Sequence, residues 1–148
     1  IDIEKARMLG EAIGKGMQIS NDLGDFALSS NKMEFKLYQD QLSDLVENKA
    51  TLPIYYAITQ GTDVEKEALN AIIGNRNANY TEKNKASQAI VSSGAYRYTI
   101  KTLNKCYKEI KEVANHLPKN EWRDAVSSIA STITRNKFLT AIRKGAEQ

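Results

Sequence analysis

The feature that most constrains the fold is the spacing of the apolar residues, which follows the period of an α-helix over most of the chain. Proline, which interrupts helices, occurs only at Pro53 and Pro118. The clearest apolar stripe advances in steps of three and four and consists of Tyr96, Ile100, Leu103, Tyr107, Ile110, Ala114 and Leu117. Alternating apolar and polar residues, the pattern typical of a β-strand, occur only in stretches no longer than chance would produce. The sequence therefore predicts an all-α protein.

Polar residues with capping chemistry divide this pattern into separate helices. Thr62 and Glu65 have the spacing of a capping box at the start of a short helix. Thr81 is predicted to cap the next helix, and Asn120 is predicted to cap the last one. We expect Trp122 to anchor that last helix in the core, because a large aromatic side chain buries much apolar area.

The composition is that of an ordinary globular domain, with 41% hydrophobic and 26% charged residues. No linker or repeat divides residues 1–148, so we expect one domain. The net charge of +3 is small and its lysines are scattered among acidic residues, so no nucleic-acid partner is expected. No apolar run approaches the roughly 20 residues that span a bilayer, so no transmembrane segment is expected. The single cysteine, Cys106, fits a cytoplasmic protein.

The first predicted helix, over about residues 3–28, carries a group of polar side chains. Gln18, Asn21, Asp22 and Asp25 are spaced i, i+3, i+4 and i+7, which places them on one helix face. The two carboxylates repel each other and lie near the helix C-terminus, where the helix dipole disfavours negative charge. A hard cation such as Mg²⁺ would offset both penalties and prefers oxygen ligands. Carboxylate pairs on helices are common, so the spacing alone favours a solvated helix end and leaves the metal site open as the other interpretation.

Three segments resemble those of trans-isoprenyl diphosphate synthases. Residues 18–25 are similar to the family's second aspartate-rich motif, Phe-Gln-Ile-x-Asp-Asp-x-x-Asp. Residues 44–57 are similar to its segment Asp-Leu-x-x-Gly-Lys-x-Thr-Leu-Pro-x-x-Tyr-Ala. Residues 93–95 lead into a helix that closes at Leu117 and Pro118, and a further helix follows, as at the family's C-terminal end. The resemblance covers nearly the whole chain, in the family's order.

The resemblance implies an orthogonal bundle of long helices around a central cavity, of which this chain is the C-terminal half. In that family two aspartate-rich motifs on facing helices hold Mg²⁺ ions that bind an allylic diphosphate. The metals draw charge onto the leaving diphosphate, and the allylic cation is attacked by the double bond of isopentenyl diphosphate. The expected protein is therefore a magnesium-dependent prenyltransferase, a homodimer in its full-length form and inactive as this isolated segment.

Carried over by position, the resemblance implies a role for each motif residue. Asn21, Asp22 and Asp25 would be Mg²⁺ ligands, with Asp22 also contributing to catalysis. Gln18 would lie beside the cation and the diphosphate. Lys49 would donate hydrogen bonds to the diphosphate as an ammonium group.

Departures from the family pattern leave other interpretations open. Asn21 stands where the family usually has an aspartate, Asn48 stands where it has a glycine, and Gln39 aligns with a lysine that contacts phosphate. The first aspartate-rich motif is absent from these residues. A peptide-modifying isoprenyl transferase of the bacterial competence-pheromone type is one alternative, and a non-catalytic regulatory subunit of a two-component synthase is another.

Overall fold

The structure is a computed structural model that describes residues 2–25 and 42–134, with residues 24 and 25 described by their backbone alone. Every regular element within those ranges is a helix, which confirms the all-α prediction. The helices are α1 (Ile3–Asp25), α2 (Ser43–Val46), α3 (Leu52–Gln60), α4 (Asp63–Asn70), α5 (Tyr80–Ser92), α6 (Ala95–Asn115) and α7 (Glu121–Thr134). Over the same ranges no helix is long and apolar enough to cross a bilayer.

The chain divides into two compact units, one formed by Ile1–Asn21 with Ile100–Gln148 and the other by Asp22–Thr99. The single domain expected over residues 1–148 stays a prediction.

The first unit brings α1, α6 and α7 together at a glycine. A methyl group on Gly16 would lie 3.2 Å from Cγ2 of Ile133 and 3.5 Å from Cβ of Cys106. The hydrogen side chain of Gly16 therefore permits a close approach of three helices, and a larger residue would require Ile133 to shift by a few tenths of an ångström. Other buried side chains of this unit are Ala12, Ile19, Leu103, Ile110, Ala114 and Ala130.

The second unit is built on α3, α4 and α5, which pack against one another. Its core includes the buried side chains Leu23, Leu45, Ile54, Leu69, Ile72 and Ile90. Pro53 occupies the first turn of α3, where its missing N–H costs nothing. This unit contains Asp22 and Lys49, two of the charged residues on which the functional prediction depends.

The capping predictions are confirmed at two helices and wrong at a third. Thr62 and Glu65 form the predicted capping box of α4, and Asn120 accepts a hydrogen bond from the backbone N–H of Arg123 at the start of α7. The helix predicted to be capped by Thr81 is instead capped by Asn79, two residues earlier, and its first residue is Tyr80.

The predicted burial of Trp122 is also wrong, because 69% of its surface is exposed. Trp122 lies in the first turn of α7, whereas the buried residues of that helix, Ala130 and Ile133, lie near its other end. Ala125 and Ile129 of α7 are exposed as well, so the buried face of this helix is confined to its C-terminal half.

Candidate functional site

The carboxylate of Asp22 is buried, with 5% of the residue exposed, near the C-terminal end of α1. One of its oxygens, Oδ2, accepts a hydrogen bond of 3.3 Å from the backbone N–H of Leu52, the first residue of α3. The N–H groups of a first helical turn have no intrahelical partner, and the positive end of the helix dipole lies there. The N-cap residue Thr51 provides no side-chain cap. Asp22 therefore stabilises the start of α3.

The same hydrogen bond joins two segments that the sequence analysis identified separately. Asp22 belongs to residues 18–25, and Leu52 belongs to residues 44–57. The two residues are separated by 30 positions in the chain. A predicted metal ligand is thereby fixed to the segment that carries Lys49.

Lys49 lies in the loop before α3 and makes two ion pairs. Its Nζ lies 3.0 Å from Oδ1 of Asp44 and 2.7 Å from Oε2 of Glu47. The hydrogen bonds with Glu47 and Asp44 raise the pKa of Lys49 above its ordinary value. The hydrogen bond between Lys49 and Glu47 also lowers the pKa of Glu47. Lys49 is therefore an ammonium ion across the physiological pH range, and 55% of its side chain is exposed to solvent.

The loop that presents Lys49 depends on an unusual backbone conformation at Asn48. Its φ angle of 58° lies in the left-handed region, where glycine is most easily accommodated and asparagine is among the better substitutes. The backbone N–H of Lys49 donates to the carbonyl of Asp44 at 2.7 Å and closes the loop. The asparagine that replaces the family's usual glycine is thus compatible with the backbone that this position requires.

The remaining predicted site residues lie on α1. Gln18 and Asn21 are exposed. Asp25 is the last residue of α1, and its side chain lies outside the described part of the chain, as does Gln39.

Metal binding at the end of α1 stays a prediction. Among the described side chains no group of three or more His, Cys, Asp or Glu residues that could hold a metal occurs. The predicted ligands Asn21, Asp22 and Asp25 have amide and carboxylate oxygens, the donor types that a hard cation such as Mg²⁺ prefers. These donor types suit Mg²⁺. Their small number suits an ion that takes its other ligands from a substrate or from elsewhere in the protein.

The sequence analysis missed Thr51 as a candidate residue. Its side-chain hydroxyl is buried and finds no hydrogen-bond partner among the described residues. A buried polar group without a partner is costly and calls for an explanation. The signal that could have identified Thr51 is its position two residues after Lys49, in the Thr-Leu-Pro part of residues 44–57.

A groove of about 210 Å³ adjoins Lys49. Its other walls are mostly apolar and include Leu45, Ile54, Tyr55, Ile58 and Ile73. A cationic group beside an apolar groove is chemically suited to a ligand with an anionic head and a hydrocarbon tail.

Comparisons with known proteins agree with the order of these segments. Residues 2–90 match the model of the polyprenyl synthetase family. A geranylfarnesyl diphosphate synthase from Natronomonas pharaonis is 28% identical over 136 residues, which make up 92% of this chain and 37% of that protein.

A solved structure gives the same result for the fold. It is that of a polyprenyl synthase from Caulobacter crescentus CB15 complexed with calcium and isoprenyl diphosphate. The TM-score is 0.68 at 26% identity, over 90% of this chain and 40% of the other. The chain therefore spans about two-fifths of the length of these relatives.

Proposed function

Because the chain belongs to the polyprenyl synthetase family, we propose that it supplies one side of the active site of a prenyltransferase that joins an allylic diphosphate to isopentenyl diphosphate. The observation that carries this proposal is the hydrogen bond between Asp22 and Leu52. It fixes the predicted metal-binding end of α1 to the segment that presents Lys49 and Thr51. A metal-bridged diphosphate needs both an oxygen ligand for the metal and a cationic donor for its own oxygens.

In this proposal Asn21, Asp22 and Asp25 hold Mg²⁺, which when bound withdraws negative charge from the departing diphosphate. Lys49 donates N–H hydrogen bonds to the diphosphate oxygens, and the Thr51 hydroxyl is a further candidate donor. Gln18 lies beside the developing positive charge. The allylic C–O bond breaks with its electron pair going to the diphosphate, and the double bond of isopentenyl diphosphate forms the new C–C bond before a proton is lost.

Asp22 bears on the alternative of a non-catalytic regulatory subunit. Two carboxylates near a helix C-terminus are unfavourable, and metal binding would give a catalytic reason for keeping them. The bond to Leu52 gives Asp22 a structural reason as well, so its retention alone does not separate the two functions. The enzyme is favoured because both relatives are synthases. The homodimer and the cytoplasmic location stay predictions.

The test is a prenyl-transfer assay on the complete gene product that contains residues 1–148, with an allylic diphosphate, labelled isopentenyl diphosphate and Mg²⁺. We expect extractable product that chelation by EDTA abolishes. Lys49→Ala should lower kcat/KM by about 100-fold, the usual loss when a donor to developing negative charge is removed. Lys101→Ala, at an exposed lysine on α6, is the matched control and should be active. Absence of product from the wild type, or full activity of Lys49→Ala, would contradict the proposal.

A further inference from the structure

Two carboxylates share the ammonium group of Lys49. Those of Asp44 and Glu47 both lie within ion-pair distance of it, and Arg76 is near enough to Glu47 to help lower the pKa of that carboxyl. Both carboxylates therefore occupy the ammonium group at the place where the proposed function requires an anion to bind. An incoming diphosphate would be repelled by at least one of these carboxylates.

The two carboxylates differ in burial and in how they are attached to Lys49. The side chain of Asp44 is 18% exposed, whereas that of Glu47 is 47% exposed. Asp44 contacts Lys49 twice, because its carbonyl accepts the Lys49 backbone N–H at 2.7 Å and its carboxylate accepts from Nζ at 3.0 Å. Glu47 contacts only the ammonium end. A partly buried, doubly attached pair is ordered and weakly screened, whereas an exposed pair is screened by salt and easily exchanged.

The number of N–H donors on the Lys49 ammonium group also distinguishes Asp44 from Glu47. A lysine ammonium has three N–H donors, and its contacts with described residues occupy two of them. A diphosphate that accepts more than one hydrogen bond from Lys49 must displace a carboxylate. The exposed one, Glu47, is the easier to displace.

On the basis of the proposed function of Lys49, we propose that Asp44 is a positioning residue that fixes the Lys49 ammonium, and that Glu47 is a competitor that the diphosphate displaces from it. Glu47 thereby weakens the binding of the anionic substrate, and of any anionic product, by occupying the same donor. Asp44 strengthens that binding by limiting the positions that the ammonium can adopt.

The test measures the affinity of the complete gene product for an unreactive allylic thiodiphosphate in the presence of Mg²⁺. Glu47→Gln should lower Kd by about 3- to 10-fold at low ionic strength, and the gain should shrink as salt is added. Asp44→Asn should raise Kd by a similar factor, and Asp44→Glu should restore part of the loss. Glu67→Gln removes the same charge from an exposed position on α4 and is the control for a general charge effect.

The Lys49→Ala background separates this inference from the proposed function. If Lys49→Ala binds the analogue as tightly as the wild type, the proposed role of Lys49 is wrong. If Lys49→Ala weakens binding but Glu47→Gln does not tighten it, only the inference about Glu47 is wrong. The inference about Glu47 is also wrong if Glu47→Gln tightens binding as much in the Lys49→Ala background as in the wild type. Should Asp44→Asn fail to fold, the exposed Glu47 still provides the decisive comparison.

Discussion

Asp22 has a structural role in addition to its proposed role as a metal ligand. Its carboxylate has two oxygens, and Oδ2 accepts from the first N–H of α3. A metal ligand held in this way is pre-oriented by the fold rather than by the metal, which is the usual means of keeping a binding group in place. The spacing of residues 18–25 could not reveal this contact, because Leu52 lies 30 positions away.

Substitutions at Asp22 should separate its two roles. Asp22→Ala removes the hydrogen-bond acceptor of a partly buried N–H and should lower the free energy of unfolding by about 1–2 kcal/mol. Asp22→Asn keeps an acceptor oxygen, so it should cost less stability while it removes the charge that a metal requires. Urea denaturation of both variants measures the difference. An alanine variant as stable as the wild type would mean that the bond to Leu52 contributes nothing.

Tyr96 presents a different problem, since its buried hydroxyl has no hydrogen-bond partner among the described residues. Burial raises the pKa of Tyr96 above its ordinary value. Above about pH 10 the unfolded chain therefore releases a proton that the folded chain keeps, and stability should fall by up to about 1.4 kcal/mol per pH unit. Below that pH this contribution is fully present.

We expect Tyr96→Phe to reduce the loss of stability between neutral and strongly alkaline pH. The measurement is the denaturant midpoint as a function of pH. Tyr55→Phe, at an exposed position on α3, is the matched control and should retain the slope of the wild type. Identical slopes in the wild type and Tyr96→Phe would show that the Tyr96 hydroxyl does not control alkaline stability.

At the scale of single elements, α5 shows where local sequence signals are ambiguous. Thr81 and Asn79 are both residues that cap helices, and the sequence analysis selected the wrong one. Asn79 is the cap because its side chain accepts from the backbone N–H of Glu82 at 3.0 Å, and Glu82 returns a bond to the N–H of Asn79 at 2.8 Å. Asn79 and Glu82 have the same offset as the capping box that was recognised correctly at Thr62 and Glu65.

This assignment predicts unequal effects of two alanine substitutions. Asn79→Ala should lower the free energy of unfolding by about 1 kcal/mol, because an orphan N–H loses its partner. Thr81→Ala lies inside the helix and should change stability by no more than about 0.5 kcal/mol. Thermal or urea denaturation of the two variants measures the contrast. A larger loss at Thr81 would restore the boundary predicted from the sequence.

For the molecule as a whole, the predictable features were those carried by local patterns. Helical periodicity predicted the all-α fold, and the order of three short segments predicted the family. The exposure of Trp122 and the ion pairs of Lys49 were not predictable, because they depend on which side chains the fold brings together. Metal binding by Asn21, Asp22 and Asp25 stays a prediction.

The size of the chain relative to its relatives leads to a prediction about activity. Residues 1–148 span about two-fifths of each relative, and large apolar side chains such as Ile3, Met17 and Trp122 are exposed. Exposed apolar surface favours self-association. We therefore expect residues 1–148 alone to self-associate and to show no prenyl transfer, as measured by light scattering and by the product assay. Transfer by a monomer of these residues would contradict the proposal that they form only one side of the active site.

A calorimetric titration of the complete gene product with Mg²⁺ tests whether the C-terminal end of α1 and the Lys49 segment together bind a metal-bridged diphosphate. The titration is performed with and without inorganic diphosphate, on the wild type and on a variant that combines Asp22→Asn with Asp25→Asn. We expect diphosphate to strengthen Mg²⁺ binding by the wild type, and we expect the folded double variant to lose this effect. Equal Mg²⁺ affinity in the two proteins, with the variant shown to be folded by circular dichroism, would contradict this expectation.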